Sequence, residues 1–258
     1  MKNKKMFFMI PYLLWIILFV ILPILLILWY SFTDSNNAFT LRNYVEFFKN
    51  GTFLKMMLNS FWYAFLITLL TLVISYPAAY FLIKMKNQQL WLLLIILPTW
   101  INLLLKAYAF IGILGNDGLV NILFTDFAFI FVATYIEIPF MILPIFNAIK
   151  EINPAVIHAS EDLGASKWQT FRYVLWPLSR PGVESGVQAI FIPSLSLFML
   201  TRLIGGNRVI TLGTAIEEYF MTTMNWNMGA TIGVILIALM VVVMLITSKK
   251  ARRKKVDL

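Results

Sequence analysis

The sequence contains no cysteine and one histidine, His158, in 258 residues. Without cysteine there are no disulfides, no thiolate nucleophiles and no sulfur ligands for a metal. One imidazole is too few for a histidine-rich metal site or a cysteine–histidine catalytic pair, so the usual equipment of a membrane-embedded enzyme is missing. Charge is also scarce. Asp, Glu, Lys and Arg make up 13% of the chain, about half the share usual in soluble domains. Strand-like alternation of apolar and polar residues is absent, and so is the Gly-x-x-x-x-Gly-Lys-Ser/Thr loop that cradles phosphates. The chain is therefore expected to bind no nucleotide, cofactor or metal itself.

What remains is apolar: 60% of residues are hydrophobic and the mean hydropathy is +0.83. Lipid leaves no unpaired backbone group tolerable, and the long uncharged runs read as helices, so the fold class is all-α integral membrane. The formal charge is +9, which in a soluble protein would suggest nucleic acid. Its distribution argues otherwise, because the cations flank apolar runs. Lys2, Lys4 and Lys5 precede the first run, Lys84 and Lys86 follow the second, and Lys249, Lys250, Arg252, Arg253, Lys254 and Lys255 follow the last. That is the positive-inside pattern, and no nucleic-acid partner is expected.

In chain order, Phe7 to Tyr30 is apolar for about 24 residues, enough to cross a hydrocarbon core that needs roughly 20. It is too long for a signal-peptide core and no small-residue cleavage site follows it, so it reads as an uncleaved first helix. Residues 31–55 are polar, with TLRNYVEFF predicting a short amphipathic helix on the outer surface. Further spans are expected at about 57–83, 90–113, 127–148, 183–203 and 228–246, with the GNDG turn of 115–118 and the loop IGGNRVITLGTAIEEYF outside. This gives six helices with both ends in the cytoplasm.

One stretch, NPAVIHASEDLGASKWQTFRYVLWP over 153–177, breaks the apolar pattern. Asn153 and Pro154 form a helix start, because a side-chain oxygen can cap the first turn while proline lacks only an N–H that would be orphaned there anyway. Gly164 should stop this helix by taking the left-handed conformation. Ser166 with Gln169 is a capping box that starts a second helix, and Pro177 is expected to end it. The product is an amphipathic helix-turn-helix elbow between the fourth and fifth spans.

The elbow resembles the cytoplasmic motif of ABC importer permeases: Glu-Ala-Ala, three residues, Gly, nine residues, Ile-x-Leu-Pro. Here the places are taken by His158, Ala159 and Ser160, then Gly164, then Val174, Trp176 and Pro177, with the spacing retained. SEDLGASKWQTFRYVLWPLSRPG is the form common in type I importers. LRNYVEFF, LPTWINLLLKAYAF, IPFMILPIF and LIGG are similar to segments of the spermidine/putrescine importer permeases. The resemblance implies that the elbow is a coupling helix docking in a partner ATPase, with His158, Ala159, Ser160, Glu161, Asp162, Gly164, Ala165 and Pro177 as the coupling residues. It implies a second permease subunit, an ATP-binding subunit dimer carrying ATP and Mg, an extracytoplasmic solute-binding protein and a bacterial plasma membrane. It divides the chain into a first helix and outer loop (1–54), a type 1 transmembrane domain (55–248) and a basic cytoplasmic tail (249–258). His158 stands in the place of the usual glutamate, with Glu161 or Asp162 left to supply the acidic contact.

Ionisable residues inside spans are costly and need a reason. Lys106, about 16 residues into a straight third span, would lie about 24 Å deep at the helical rise, near the outer headgroups, where snorkelling accounts for it. Glu137 falls near mid-membrane, serving either a cationic solute or an internal hydrogen bond. Trp100 and Asn102 offer cation–π and amide chemistry for an alkylammonium, although aromatics are 16% of the chain and most belong to packing. Glu184 reads as interfacial. Glu217 and Glu218 read as a solvated outer face or as a contact for a partner or cation. Arg202 stands before LIGG, where the polyamine permeases often carry an acid, and it weakens the polyamine solute that the resemblance implies. The alternatives are an ABC permease for another small solute and a proton-coupled carrier relaying through Glu137, which would leave the elbow unexplained.

Overall fold

The protein is described by a computed structural model over residues 2–116 and 118–253, so Asp117 of the GNDG turn and Lys254 and Lys255 of the basic tail lie outside the described residues. Its helices are α1 (Lys2–Ile16), α2 (Leu22–Ser31), α3 (Arg42–Lys49), α4 (Gly51–Lys84), α5 (Gln88–Ile96), α6 (Leu103–Leu114), α7 (Asp126–Lys150), α8 (Pro154–Asp162), α9 (Lys167–Thr170), α10 (Trp176–Ser194), α11 (Met199–Leu203), α12 (Leu212–Glu217) and α13 (Trp226–Arg253). Among the described residues the only extended pairing is an isolated bridge between Thr33 and Phe39. The chain is all-helical, as its composition requires.

Among the described residues, four helical stretches are long and apolar enough to cross a membrane: Met9–Ser31, Gly51–Lys84, Asp126–Lys150 and Trp226–Thr247. A fifth is α5 with its 3₁₀ extension to Trp100 plus α6, bent by 91° between them. The expected straight third span is therefore two helices. Pro98 sits in the 3₁₀ turn, and Ile101 leaves helical geometry with ψ 132°. Asn102 then restarts the helix by accepting from the Leu104 amide at 2.8 Å. The fifth expected span, 183–203, fails the same test among the described residues. Its place is taken by α10, which carries Arg180, Pro181, Gly182, Glu184, Gly186 and Pro193 and breaks at residues 195–198 before α11. One face of α10 is buried against its neighbours, at Ser179, Gly182, Val183, Gly186, Ile190 and Ser194.

The core lies where α4, α7 and α10 meet, around Ile67, Tyr76, Phe129, Val132, Met141, Ile145, Phe146 and Ile190. Small residues allow the closest approach. A Cβ on Gly182 would lie 2.5 Å from both Ala148 Cβ and the Pro144 carbonyl oxygen, and one on Gly186 would lie 2.5 Å from Met141 Sδ. Where lipid removes the hydrophobic drive between helices, such contact and interhelical hydrogen bonds hold a bundle together. Tyr76 Oη and Ser179 Oγ share a hydrogen bond at 2.7 Å between α4 and α10, and Tyr63 donates to Asp126 Oδ1 at 3.0 Å between α4 and α7.

A second cluster joins α3, α4, α12 and α13 around Phe47, Phe53, Leu212 and Ile232. The predicted amphipathic surface helix exists as α3, with Phe47 buried and Tyr44 donating to Ser31 Oγ at 2.9 Å. Helix α2 is fastened to α13 mainly at its C-terminal end. There Asn227 Nδ2 reaches the carbonyls of Tyr30 (3.2 Å), Thr33 (2.8 Å) and Asp34 (3.3 Å) and the Thr33 hydroxyl (3.1 Å). Asn227→Ala removes this clamp, although the Thr33 carbonyl keeps Asn43 Nδ2 (3.2 Å) and the Tyr30 carbonyl keeps the Thr33 amide (3.3 Å), and should cost about 0.5–1.5 kcal/mol. Hydrogen exchange is expected to quicken in residues 30–34 while the α4–α7 contact is unaffected; unchanged exchange there would rule out the clamp.

Proline 177 does not end the elbow's second helix. Residues 167–194 are continuous helix through a π turn, Phe171–Leu175, in which the Trp176 amide bonds to Phe171 O, five residues back, instead of Arg172 O, four residues back. Proline lacks an N–H and its ring crowds the carbonyl four residues back, and a widened turn relieves that crowding without breaking the helix. The same device recurs at residues 17–21, where a π turn immediately precedes Leu22-Pro23 and the Leu22 amide bonds to Ile17 O.

Candidate functional site

The elbow is built from local chemistry. Asn153 Oδ1 accepts from the Ala155 amide at 3.0 Å and so caps α8. At the other end Gly164 has φ +81°. Its amide bonds to Glu161 O at 2.9 Å while the Ala165 amide reaches back to Ser160 O at 3.1 Å. These paired bonds, with a left-handed glycine between them, form a Schellman motif that satisfies the orphan carbonyls of α8. Ser166 and Gln169 then exchange the two bonds of a capping box, 2.7 and 3.3 Å.

A strut closes the angle. Ser160 Oγ and Thr170 Oγ1 share a hydrogen bond at 2.9 Å across the two arms, and Thr170 is buried. Aromatic contacts tie the elbow to α4: Trp168 stacks on Phe171 (5.3 Å), and Phe171 (5.6 Å) and Trp176 (5.3 Å) both pack on Tyr76. The outward surface is apolar at Leu163, which is 89% exposed, with Trp168 and Tyr173 exposed beside it. His158, Ala159, Glu161, Asp162 and Gly164 are exposed, whereas Ser160 and Ala165 are half-buried. Ser160 is thus an internal brace. Pro177 is exposed but lies beyond the π turn on α10, away from the Gly164 turn. His158 Nδ1 stands 3.6 Å from Glu161 Oε2, so Glu161 is the acid beside the histidine.

Behind the elbow lies a cavity of about 500 Å³, whose lining includes Tyr80 and Lys84 of α4, Lys150 of α7 and His158, Glu161 and Lys167 of the elbow. The elbow is therefore in contact distance of the ends of two long helices.

The intramembrane candidates are not brought together in one place. Lys106, set after the 91° bend, does not follow the straight-span depth reckoned from the sequence, because the rise along α5 no longer adds to that along α6. It lines a small cavity of about 210 Å³ with Ile95, Pro98, Thr99, Tyr135 and Pro139. Glu137 sits on α7 between Ile136 and Ile138, both of which line this cavity. Trp100 is 75% exposed and Asn102 is occupied as a helix cap; neither lines that cavity. Glu184 is paired with Arg180 one turn away at 2.8 Å.

At the opposite end of α4 from Lys84 is a cavity of about 380 Å³ lined by Met56, Arg202, Gly206, Ile210, Thr214, Glu217 and Glu218 among others. Arg202 Nη1 donates to Glu217 Oε1 at 2.5 Å. The arginine that seemed out of place in the sequence is therefore a partner for one of the two loop glutamates. Nearby Tyr219 has its phenol pushed above the ordinary range by burial first and by the charges of Glu46 and Glu218 next. Sequence reasoning missed this pairing, which joins residues 15 apart across a loop, and it missed Gly182 and Gly186, whose four-residue spacing was the available signal.

Comparison with known proteins fits this geometry. Residues 51–256 match the family model for the binding-protein-dependent transport system inner membrane component. The chain is 33% identical over 268 residues to the spermidine/putrescine transport system permease protein PotB of Escherichia coli, covering 95% of this chain and 97% of that one. It is 32% identical to the PotB of Haemophilus influenzae, covering 95% and 93%. It is 29% identical to the inner membrane ABC transporter permease protein YdcU of Escherichia coli, covering 70% and 69%. Among solved structures, a bacterial ABC transporter involved in import of the acidic polysaccharide alginate superposes with a TM-score of 0.82 at 17% identity, covering 98% and 96%. The MetNI methionine ABC transporter gives 0.64 at 19%, covering 78% and 94%. These last two establish the fold alone. An all-helical bundle with several membrane-crossing helices, a family model spanning most of the chain and relatives one-third identical along nearly all of it place this protein in the binding-protein-dependent transport system inner membrane component family, as a type I ABC importer permease of the bacterial inner membrane.

Proposed function

We propose that this permease carries polyamines of the spermidine and putrescine class inward, as half of a translocation path completed by a second permease subunit. The observation that carries the solute assignment is the one-third identity to spermidine/putrescine permeases over 95% of the chain. In this reading the chain makes six crossings, with α10 serving as the fifth because one of its faces is buried by its neighbours despite its polar residues, and both ends lie in the cytoplasm. The division into residues 1–54, 55–248 and 249–258 follows from that topology. ATP and Mg are held by the partner ATPase dimer, and this chain is a transport subunit and not an enzyme. Solute reaches it from an extracytoplasmic binding protein.

The elbow couples the two halves of the cycle. Its Schellman turn, capping box and Ser160–Thr170 strut make it stiff, and its second arm is continuous with α10, so a push on the exposed Leu163–Trp168 surface is delivered along a helix and not lost in a loop. Charge neutralisation inside the path supports a cationic solute better than the sequence suggested, since Arg202 is matched by Glu217 and does not stand as a free positive charge. The test is uptake of radiolabelled spermidine by cells expressing the complete transporter. Uptake that depends on this subunit and is competed by putrescine is expected; no uptake, with all subunits in the membrane, would refute the polyamine assignment.

A further inference from the structure

Two rigid frames face each other across the cavity at the Met56 end of α4. On one side α12 is anchored to α4: the Leu212 amide donates to Ser60 Oγ at 2.8 Å, and Asn59 Nδ2 donates to Ile210 O at 3.2 Å. On the other, α11 runs into a turn at Gly206 (φ +58°) that lies directly under the Phe124 ring, where a Cβ would come within 2.8 Å of Phe124 Cδ1. The Phe124 amide pins the same turn through Ile204 O at 2.9 Å. Between the frames, within the cavity, Arg202 bonds to Glu217. The arginine side chain is 61% exposed and the glutamate 21%. The cation is thus loosely held from solvent while its acceptor belongs to the wall.

We propose that this cavity is a site for the ammonium group of a cationic solute, and that Arg202 is a built-in competitor occupying Glu217 until the solute displaces it. The proposal rests on the polyamine reading for its physiological solute. The lining sets one guanidinium against two carboxylates, Glu217 and Glu218, so the site keeps a net negative charge that draws an ammonium in, and the ammonium takes Glu217 once the guanidinium swings out; with Glu217 neutralised, Arg202 and Glu218 cancel and that attraction is lost. Exposed ion pairs are weak, and displacing one costs at most about a fivefold factor in affinity. The threonines at 214 and 222 and the methionine at 56 supply hydroxyls for the ammonium and an apolar contact for the methylenes. A volume of about 380 Å³ admits such a chain. Arg202 thereby tunes the site towards weak, releasable binding, which suits a path.

The experiment uses the purified complete transporter in nanodiscs, without its binding protein, titrated calorimetrically with spermidine and with n-butylammonium as a minimal probe. Arg202→Gln should lower the half-saturating concentration of both about fivefold, Arg202→Lys should stay near wild type because it keeps a competing cation, and Glu217→Gln should abolish binding. Equal or weaker binding in Arg202→Gln than in wild type would overturn the proposal, as would binding of acetate in place of amines. Should the glutamine variant fail to assemble, retained amine binding in Glu217→Gln would overturn it alone. Tightening seen for n-butylammonium with no uptake of spermidine by wild type would leave the site standing and refute only the polyamine assignment.

Discussion

Gly164→Pro should reduce solute uptake at least a hundredfold while the protein still reaches the membrane. Gly164 holds φ at +81° and donates its amide to Glu161 O at 2.9 Å. Proline fixes φ near −65° and has no amide hydrogen, so neither the turn nor its bond can form. The reversal between α8 and α9 is then lost, and with it the Ser160–Thr170 strut that sets the angle of the arms. The core of α4, α7 and α10 contains none of these residues, so insertion should be preserved. Gly164→Ala separates the causes. The position has open space around it, so alanine suffers only the left-handed penalty, about 1–2 kcal/mol. Partial uptake is expected from it. The measurement is spermidine uptake normalised to membrane level, together with ATP hydrolysis by the assembled complex. Undiminished transport by the proline variant would sink the coupling role.

Gly182→Leu should destabilise the bundle by at least about 3 kcal/mol, at the upper end for overpacking. The obstacle at this position is partly backbone: a Cβ alone would lie 2.5 Å from the Pro144 carbonyl oxygen and from Ala148 Cβ. Neither can rotate away, so α10 must shift off α7 as a body. The Tyr76–Ser179 bond lies within one turn and would stretch with it. Gly233→Ala in α13 is the control, since nothing lies within 4 Å of its added Cβ. The control should melt like wild type, whereas Gly182→Leu should melt well below it and fail to co-purify with the partner subunits. Equal melting temperatures would mean that α7 and α10 are less tightly packed than described.

The elbow was legible in advance because every signal in it is local. A cap at Asn153, a left-handed glycine at 164 and the Ser166–Gln169 box each act within four residues, and short-range chemistry of that kind carries over into any fold. The long apolar runs were legible for the same reason. Pro177 was misread as a stop because the sequence does not say that a π turn will absorb it. The widened turn relieves the crowding of the proline ring against the preceding turn and lets the helix run on.

By itself, then, the sequence determined that this chain is a helical membrane protein, where its elbow turns and which family motif the elbow carries, since hydropathy and capping are properties of neighbouring residues. Only the tertiary structure decided which charges meet. Arg202 finds Glu217 because separate helices bring them together, and one face of α10 is buried because Gly182 and Gly186 let α7 approach. Coulomb interaction and steric contact act through space, and residues distant in sequence acquire them only when the bundle closes.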